Sequence, residues 1–340
     1  MAKRLAMVVI MAIFISLAFS NRPASAADLT LTYANFPPAA TFPCVQMERW
    51  KQEVEQRTNG KVEIKTFPGG ALLGAKNMLE GVKQGQADIG NLCMPYQPGV
   101  FPLTSVLEVP MGLKSAKVAS AILYDLVEKF DPKEFAEVKI LAVFTSAPSN
   151  ISSTTPVKSL DDLKGLELRA SGGAADILRL LQAIDVNMPM SDTPEALQKS
   201  VVKGLLSSLE VLKDLNYAEQ CRHITMLNAQ VYPFAVVMNK SKWEALPDDV
   251  KKVFDDMRQE QSVWTGEYAD KHTVDALAWA DEKYGIQTHY FNEDEMKTMA
   301  ERLEPMATEW KQKAAKAGLD AEAIWKAVQE RKDFYEQTTP

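Results

Sequence analysis

The 340-residue chain is 46% hydrophobic and 24% charged, and its net charge of −7 comes from acids and bases mixed along its length. Those proportions are ordinary for a globular protein. No basic stripe is present to neutralise phosphates, which argues against a nucleic-acid surface, and a modest negative charge suits a soluble carrier.

Lys3 and Arg4 precede a nearly unbroken apolar run from Leu5 to Phe19, and Ala24-Ser25-Ala26 is a small-residue cleavage site. That is the three-part pattern of a secretory signal. The run falls short of the ~20 residues a membrane-spanning helix needs. The expectation is therefore an exported, periplasmic chain cut near Ala26. No Cys follows the cut to carry a lipid, and no second long apolar run occurs downstream. The roughly 314 residues that remain exceed what one core usually serves, so two lobes are expected.

Strand-like and helix-like pieces then alternate. Leu29 to Tyr33 alternates apolar and polar side chains, as a strand does. Thr41 is placed to cap a helix running to about Thr58, which Asn59-Gly60 ends. Val62 to Phe67 reads as a strand broken by Pro68-Gly69-Gly70. Gly74 to Gln84 reads as a helix, Ala87 to Leu92 as a buried strand, Ser115 to Phe130 as an amphipathic helix and Lys139 to Phe144 as a strand. Short units continue, strand then helix, at Glu167 to Ala170, Ala174 to Ile184, Asn187 to Met190 and Thr193 to Lys203. Thr193 is the expected N-cap of the last, with Pro194 at the first helical position and Glu195 complementing the helix dipole. This alternation predicts α/β lobes with largely parallel sheets.

Beyond Pro247 the pattern changes. No proline occurs before Tyr284, and Val250, Val253, Phe254, Met257, Trp264 and Tyr268 recur at helical spacing. Gly266 is the one weak point, at a cost of ~1 kcal/mol against Ala. One helix here would span ~55 Å, longer than a lobe. Ile286 to Phe291 reads as a short strand, and helical regions at about Glu293 to Ala317 and Asp320 to Phe334 close the chain. Pro305 is placed to kink or split the first of them.

Catalytic patterns are missing. His223, His272 and His289 are far apart in sequence and none sits in a HExxH pattern. There is no GxSxG elbow, and Gly69-Gly70 and Gly172-Gly173 match no phosphate-cradling loop. No metal, cofactor or enzymatic activity is expected. Cys44, Cys93 and Cys221 fit either one disulfide with a free thiol or three buried thiols.

Two ordered stretches carry a family resemblance. The first runs through Asn59-Gly60-Lys61-Val62, Phe67-Pro68, Leu73-Gly74, Gly85-Gln86-Ala87-Asp88-Ile89, Phe101-Pro102 and Val109-Pro110. The second is Pro156-Val157-Lys158-Ser159-Leu160-Asp161-Asp162-Leu163-Lys164-Gly165-Leu166-Glu167-Leu168-Arg169. It continues through Pro189-Met190-Ser191, Val202-Lys203-Gly204, Asn239-Lys240-Ser241-Lys242-Trp243 and Leu246-Pro247. Together they resemble the substrate-binding subunits of tripartite ATP-independent periplasmic (TRAP) transporters, over nearly the whole chain that follows the signal. The resemblance implies a two-lobed clamshell with crossing strands and a long C-terminal helix lying across both lobes. It implies an organic-acid ligand held in the cleft, and separate membrane subunits as partners. It assigns Arg169, at the end of the DLKGLxxR-type run, to the ligand carboxylate, which a guanidinium meets with two parallel hydrogen bonds.

Departures from that family bear on the ligand. Where members for sialic acid and dicarboxylates often carry a second basic residue, this chain reads Ser149-Asn150-Ile151-Ser152, without charge. One cation leaves a second carboxylate unpaired and costly, so a monocarboxylate, aromatic acid or amino acid is expected over a dicarboxylate. An α-ammonium group fits if Asp192 or Glu210 faces the cleft. A helix cap for Asp192 and a surface helix position for Glu210 are the plainer readings. Position at strand ends nominates Asn35, Phe36, Asn91, Tyr96, Asn150, Ser207, Ser208 and Tyr232 as further ligand-binding residues. The expected division is residues 27–146 plus about 235–274 as lobe I, and about 147–234 plus 275–340 as lobe II, in a monomer. Receptors of ABC importers or sensor kinases, and a secreted enzyme acting on a carboxylate, are the rival readings.

Overall fold

The computed structural model describes residues 27–338. The expected signal segment, Met1 to Ala26, lies outside the described residues. The strands are β1 (Leu29–Asn35), β2 (Val62–Phe67), β3 (Ile89–Cys93), β4 (Val138–Thr145), β5 (Asn150–Ser153), β6 (Glu167–Ala170), β7 (Ile184–Asn187), β8 (Gly204–Ser207), β9 (His223–Met226), β10 (Pro233–Asn239) and β11 (Gln287–Tyr290). The helices are α1 (Phe42–Arg57), α2 (Met78–Lys83), α3 (Ala116–Phe130), α4 (Gly173–Leu180), α5 (Thr193–Gln198), α6 (Val211–Asp214), α7 (Lys240–Ala245), α8 (Asp248–Tyr284), α9 (Glu293–Leu303), α10 (Pro305–Lys316) and α11 (Ala321–Thr338).

They build two sheets, ordered β2-β1-β3-β10-β4 and β11-β9-β5-β8-β6-β7. The result is the two-lobed α/β fold that the chain's alternation and motifs lead one to expect. The sheets are mixed rather than largely parallel. β10 runs antiparallel to β3 and β4, and β5 antiparallel to β8 and β9. The reason is connectivity. The chain leaves the first sheet after β4 to enter the second as β5, and leaves the second after β9 to return as β10. Each crossing reverses a strand relative to its new neighbours.

The two crossings bond to each other. The N–H groups of Ser146 and Ser149 donate to the carbonyls of Tyr232 and Gln230 at 3.0 and 2.7 Å, and Ala229 N–H returns to the Ser149 carbonyl at 2.9 Å. Ser146 Oγ also accepts from the Tyr232 N–H at 3.0 Å. A narrow two-stranded ribbon thus joins the lobes, the form a hinge takes.

α8 is one unbroken helix of 37 residues. Its first half buries Val250, Phe254 and Met257 in the core of the first sheet, and Ala280 near its end joins the smaller core of the second. Gly266 is no weak point but the place where α8 meets α3. A Cβ there would lie 2.7 Å from Lys117 Cα and 2.8 Å from the Ala116 carbonyl oxygen. One turn on, Asp270 accepts the N–H groups of Ala116 and Lys117 at 2.7 and 2.9 Å, while Ser115 Oγ accepts from Val118. The start of α3 is therefore capped twice, once by its own residue and once by α8.

Other local readings need correction. Thr41 stands at the N-cap of α1, but its hydroxyl donates back to the Pro38 carbonyl at 2.7 Å, so it caps nothing. Thr193 lies inside α5, because a short 3-10 turn over Met190–Asp192 puts Asp192 at the cap. The strand expected at Asn187 to Met190 is instead Ile184–Asn187, paired with β6. Pro189 has no N–H for a ladder, and the Met188 carbonyl accepts from Arg169 instead. The helix expected from Gly74 is confined to Met78–Lys83. Pro305 does split the penultimate helical region, opening α10.

The end of the chain returns to the first sheet's side. α11 lies along α3, where Tyr335 Oη donates to Asp125 at 2.8 Å, and Trp310 of α10 donates to the Pro102 carbonyl at 3.1 Å. α9 stays with the second sheet, packing on α4. On these contacts we propose that 305–338 belongs with lobe I, although residues 275–340 were expected in lobe II. Among the described residues no helix is long and apolar enough to cross a membrane.

The packing at Gly266 sets a test. Gly266→Ala gains helix propensity worth ~1 kcal/mol but drives a methyl group into the α3 backbone. A net loss of roughly 1–3 kcal/mol is expected in denaturant melts, as for other overpacked contacts. An unchanged or raised midpoint would contradict the close approach.

Candidate functional site

The cleft is built at strand ends. Segments leaving β1, β3, β6 and β8 converge there with the ribbon that joins the lobes, as α/β folds commonly arrange a binding crevice. About 590 Å³ of space lies between the walls, the open mouth included.

Arg169 lies in β6, between β7 and β8. It is 0% exposed. Its Nε donates to the Met188 carbonyl at 2.9 Å, and its Nη2 to Tyr96 Oη at 3.0 Å and Ser171 Oγ at 3.4 Å. Each of these partners is uncharged. The remaining nitrogen, Nη1, is buried and has no partner. A guanidinium stays protonated in proteins, and a buried charge without a counterion costs several kcal/mol. This is a site short of one anion.

Tyr96 fixes the guanidinium from the other lobe. It ends a 3-10 turn after β3, and its hydroxyl also accepts the Met190 N–H at 3.1 Å. Its ring lies 5.8 Å from Arg169 Cζ and 5.6 Å from the Phe36 ring. Burial raises the Tyr96 hydroxyl above its usual range, with Arg169 pulling the other way, so it remains a neutral phenol. A second contact pins the turn after β6. Glu108 Oε2 accepts the Gly173 N–H at 2.7 Å from the segment after β3. Gly172 adopts φ 55° there, and a Cβ on it would collide with Glu108.

The rest of the wall carries both aromatic and acidic side chains. Phe36, Phe42, Tyr232 and Phe234 supply flat apolar faces, with Phe42 and Phe234 edge-to-face at 5.6 Å. Ser207, Ser208, Glu210 and Asp214 line it as well. Glu210 is only 2% exposed and accepts from Ser208 Oγ at 2.6 Å. Burial pushes its carboxyl up to about 7, against the lowering effect of the Ser208 hydroxyl. Asp214 bonds His272 Nε2 at 2.6 Å, which raises the His272 pKa.

Seven of the residues nominated from sequence therefore line the cleft: Phe36, Tyr96, Arg169, Ser207, Ser208, Glu210 and Tyr232. Four do not. Asn35 and Asn91 bond each other at 3.0 Å, and Asn35 Nδ2 donates to the Pro43 carbonyl at 2.9 Å, so the pair braces the segment entering α1. Asn150 Oδ1 accepts the N–H groups of Leu227 and Asn228 at 2.7 and 2.8 Å, which fastens the joining ribbon. Asp192 is exposed, accepting from Ser191 Oγ. Neither plain reading of Glu210 and Asp192 holds in full: Asp192 occupies a cap position without a capping bond, and Glu210 is buried rather than at the surface. The nominations missed Phe42, Phe234, Ser146 and Asp214. Only Asp214 carried a signal, since it lies four residues after Glu210, one turn on along the same face.

All three cysteines are buried and free, which resolves the open pairing in favour of thiols; Cys93 lines the cleft. His223 and His289 meet at 3.2 Å on β9 and β11, and no group of three or more potential metal ligands occurs among the described residues.

Glu210 provides a pH test. Its folded pKa lies above the usual carboxyl value, so its neutral form costs nothing below about pH 4 and a penalty grows as pH rises through about 7. Glu210→Gln should stabilise the ligand-free protein at pH 8 by on the order of 2 kcal/mol more than at pH 5, read from chemical denaturation. An equal effect at both pH values would contradict a buried, raised carboxyl.

Residues 34–313 match the family described as bacterial extracellular solute-binding protein, family 7. A TRAP periplasmic solute binding protein from Desulfovibrio salexigens DSM2638 is 56% identical, with a TM-score of 0.83 over 92% of this chain and 98% of that one. It was solved as an open complex with the C-terminus of a symmetry mate in its ligand binding site. A marine-metagenome TRAP solute binding protein specific for aromatic acid ligands, solved with 3-hydroxybenzoate, is 26% identical, with a TM-score of 0.86 over 91% of this chain and 99% of that one. The C4-dicarboxylate-binding periplasmic protein of Rhodobacter capsulatus is 23% identical over 92% of this chain and 95% of its own length. With its family match, its 56% identical relative and its clefted two-lobed fold, the chain belongs to family 7 of the bacterial extracellular solute-binding proteins, the substrate-binding subunits of TRAP transporters.

Proposed function

We propose that this chain is an exported receptor that captures a small organic monocarboxylate and hands it to the membrane subunits of its transporter. The observation that carries this is the buried, unpartnered Nη1 of Arg169. Arg169 is the one cationic side chain lining the cleft among the described residues. A carboxylate there meets a donor already held in place by Met188 and Tyr96, and the bond forms in a water-poor site where it is strong.

The same inventory argues against a dicarboxylate. A second carboxylate would face Glu210 and Asp214 rather than a cation, and like charges in a buried site repel. Aromatic faces at Phe36, Phe42, Tyr232 and Phe234 favour a flat or branched apolar body. Two relatives fit this reading. One is specific for aromatic acids, and the other holds a chain terminus, itself a carboxylate, in its ligand site. The curated relative that binds C4-dicarboxylates means family membership alone leaves the ligand class open. The residues of this cleft support the monocarboxylate.

Capture, not turnover, is the role proposed. Ligand contacts to residues of both lobes favour closure about the ribbon at Ser146–Ser149 and Ala229–Tyr232. The signal-like pattern in residues 1–26 and the periplasmic relatives support export with cleavage near Ala26.

A thermal-shift panel tests the proposal, using ligand-stripped protein with benzoate, mandelate, phenylalanine, succinate and glucose. A ligand at about 100 times its dissociation constant adds ~2.7 kcal/mol. A monocarboxylate should stabilise the parent and lose about a hundredfold or more in affinity with Arg169→Ala, since both the salt bridge and its geometry vanish. Stabilisation that survives the substitution, or that comes from glucose alone, would contradict the carboxylate clamp.

A further inference from the structure

We infer that Glu210 and Asp214 form a second polar subsite of the cleft that takes a cationic nitrogen, so that the captured acid is a zwitterion; this deepens the monocarboxylate reading and rests on it. Both side chains line the same cavity as Arg169, yet neither bonds to it. Arg169 spends its donors on Met188, Tyr96 and Ser171. The cleft therefore holds one arginine and two acids that are not ion-paired with one another.

The acidic end is short of donors. Glu210 has one firm bond, from Ser208 Oγ at 2.6 Å to Oε1. Its Oε2 is approached by Thr273 Oγ1 at 3.5 Å, but that hydroxyl already donates to the Ala269 carbonyl at 2.8 Å and has no second proton to give. Asp214 bonds His272 through Oδ1, and its Oδ2 is buried without a partner. No lysine or arginine lies within ion-pair distance of either carboxylate among the described residues; His272 is the one basic partner. When Glu210 is ionised, two carboxylates against one imidazolium leave a net negative charge even with His272 protonated.

Buried acceptors without donors are costly. A ligand ammonium brings positive charge and several N–H groups to one spot, so it can donate to more than one acceptor. A ligand hydroxyl brings one proton and no charge, and satisfies only one of them. The site's geometry and sign together favour nitrogen over oxygen. If Glu210 served only to brace the turn between β8 and α6, its removal would weaken all ligands alike.

Matched acids separate these cases. Calorimetry would compare phenylalanine with hydrocinnamate and phenyllactate, leucine with isocaproate and leucic acid, and γ-aminobutyrate with butyrate and γ-hydroxybutyrate. The parent protein should bind the amino member of at least one set about tenfold or more tighter than its deaminated counterpart, the scale of a hydrogen bond to a charged group. Glu210→Gln should erase that preference, the amino member losing about tenfold or more relative to its deaminated counterpart, and Asp214→Asn should reduce it. Acids that bind with no amino preference, or a preference that both substitutions leave intact, overturn the subsite and keep the Arg169 clamp. Failure of every acid to bind, in parent and variants alike, overturns the organic-acid reading and this inference with it.

Discussion

A guanidinium shut away from water with no anion beside it is the constraint around which the cleft is organised. Arg169 is fully buried, and every bond it makes is to a neutral oxygen. Left alone, such a charge destabilises the fold by several kcal/mol. Three separate pieces of the chain hold it regardless. β6 supplies the backbone, the segment before the Met190 turn supplies a carbonyl, and Tyr96 supplies a hydroxyl from the opposite lobe. Stability spent in this way is usual for a site preorganised for binding, because the cost is recovered when the ligand brings the missing charge.

The rest of the architecture braces each lobe and joins the two through one slender connection. The ribbon at Ser146–Ser149 and Ala229–Tyr232 is narrow, and Asn150 fastens one end of it to the Leu227–Asn228 turn. By contrast, α8 is locked to α3 by the close approach at Gly266 and the Asp270 cap. This long helix is gripped in the first lobe and reaches the core of the second through Ala280. Tyr96 and Glu108, both on the first sheet's side, reach across to the backbone around Arg169 and Gly173. The contacts between the two sides thus fall on the residues that surround the unpaired charge.

Much of this was legible in the sequence, and the failures share a cause. The long helix followed from apolar spacing between Pro247 and Gly285, which are local signals. Arg169 followed from an ordered motif, although nothing in its own neighbourhood says that one nitrogen lacks a partner. Asn35, Asn91 and Asn150 were nominated because they are polar and lie at strand ends. Polar residues at strand ends serve the backbone as often as a ligand, and only the fold shows which N–H groups or carbonyls are in reach. The sheets are mixed where local pattern predicts parallel ones, because the reversals at β5 and β10 come from crossings between lobes, a feature of connectivity. Phe42 and Phe234 carry no local signal either: they lie far apart in sequence and meet only when α1 packs on the first sheet.

A crystal structure of the protein saturated with an acid it binds tests the central claim most directly. The account requires a carboxylate oxygen within hydrogen-bond distance of Arg169 Nη1, with Met188 and Tyr96 still holding the other two nitrogens. A ligand whose carboxylate lies elsewhere in the cleft, with Nη1 bonded to water or to a protein group, would contradict it.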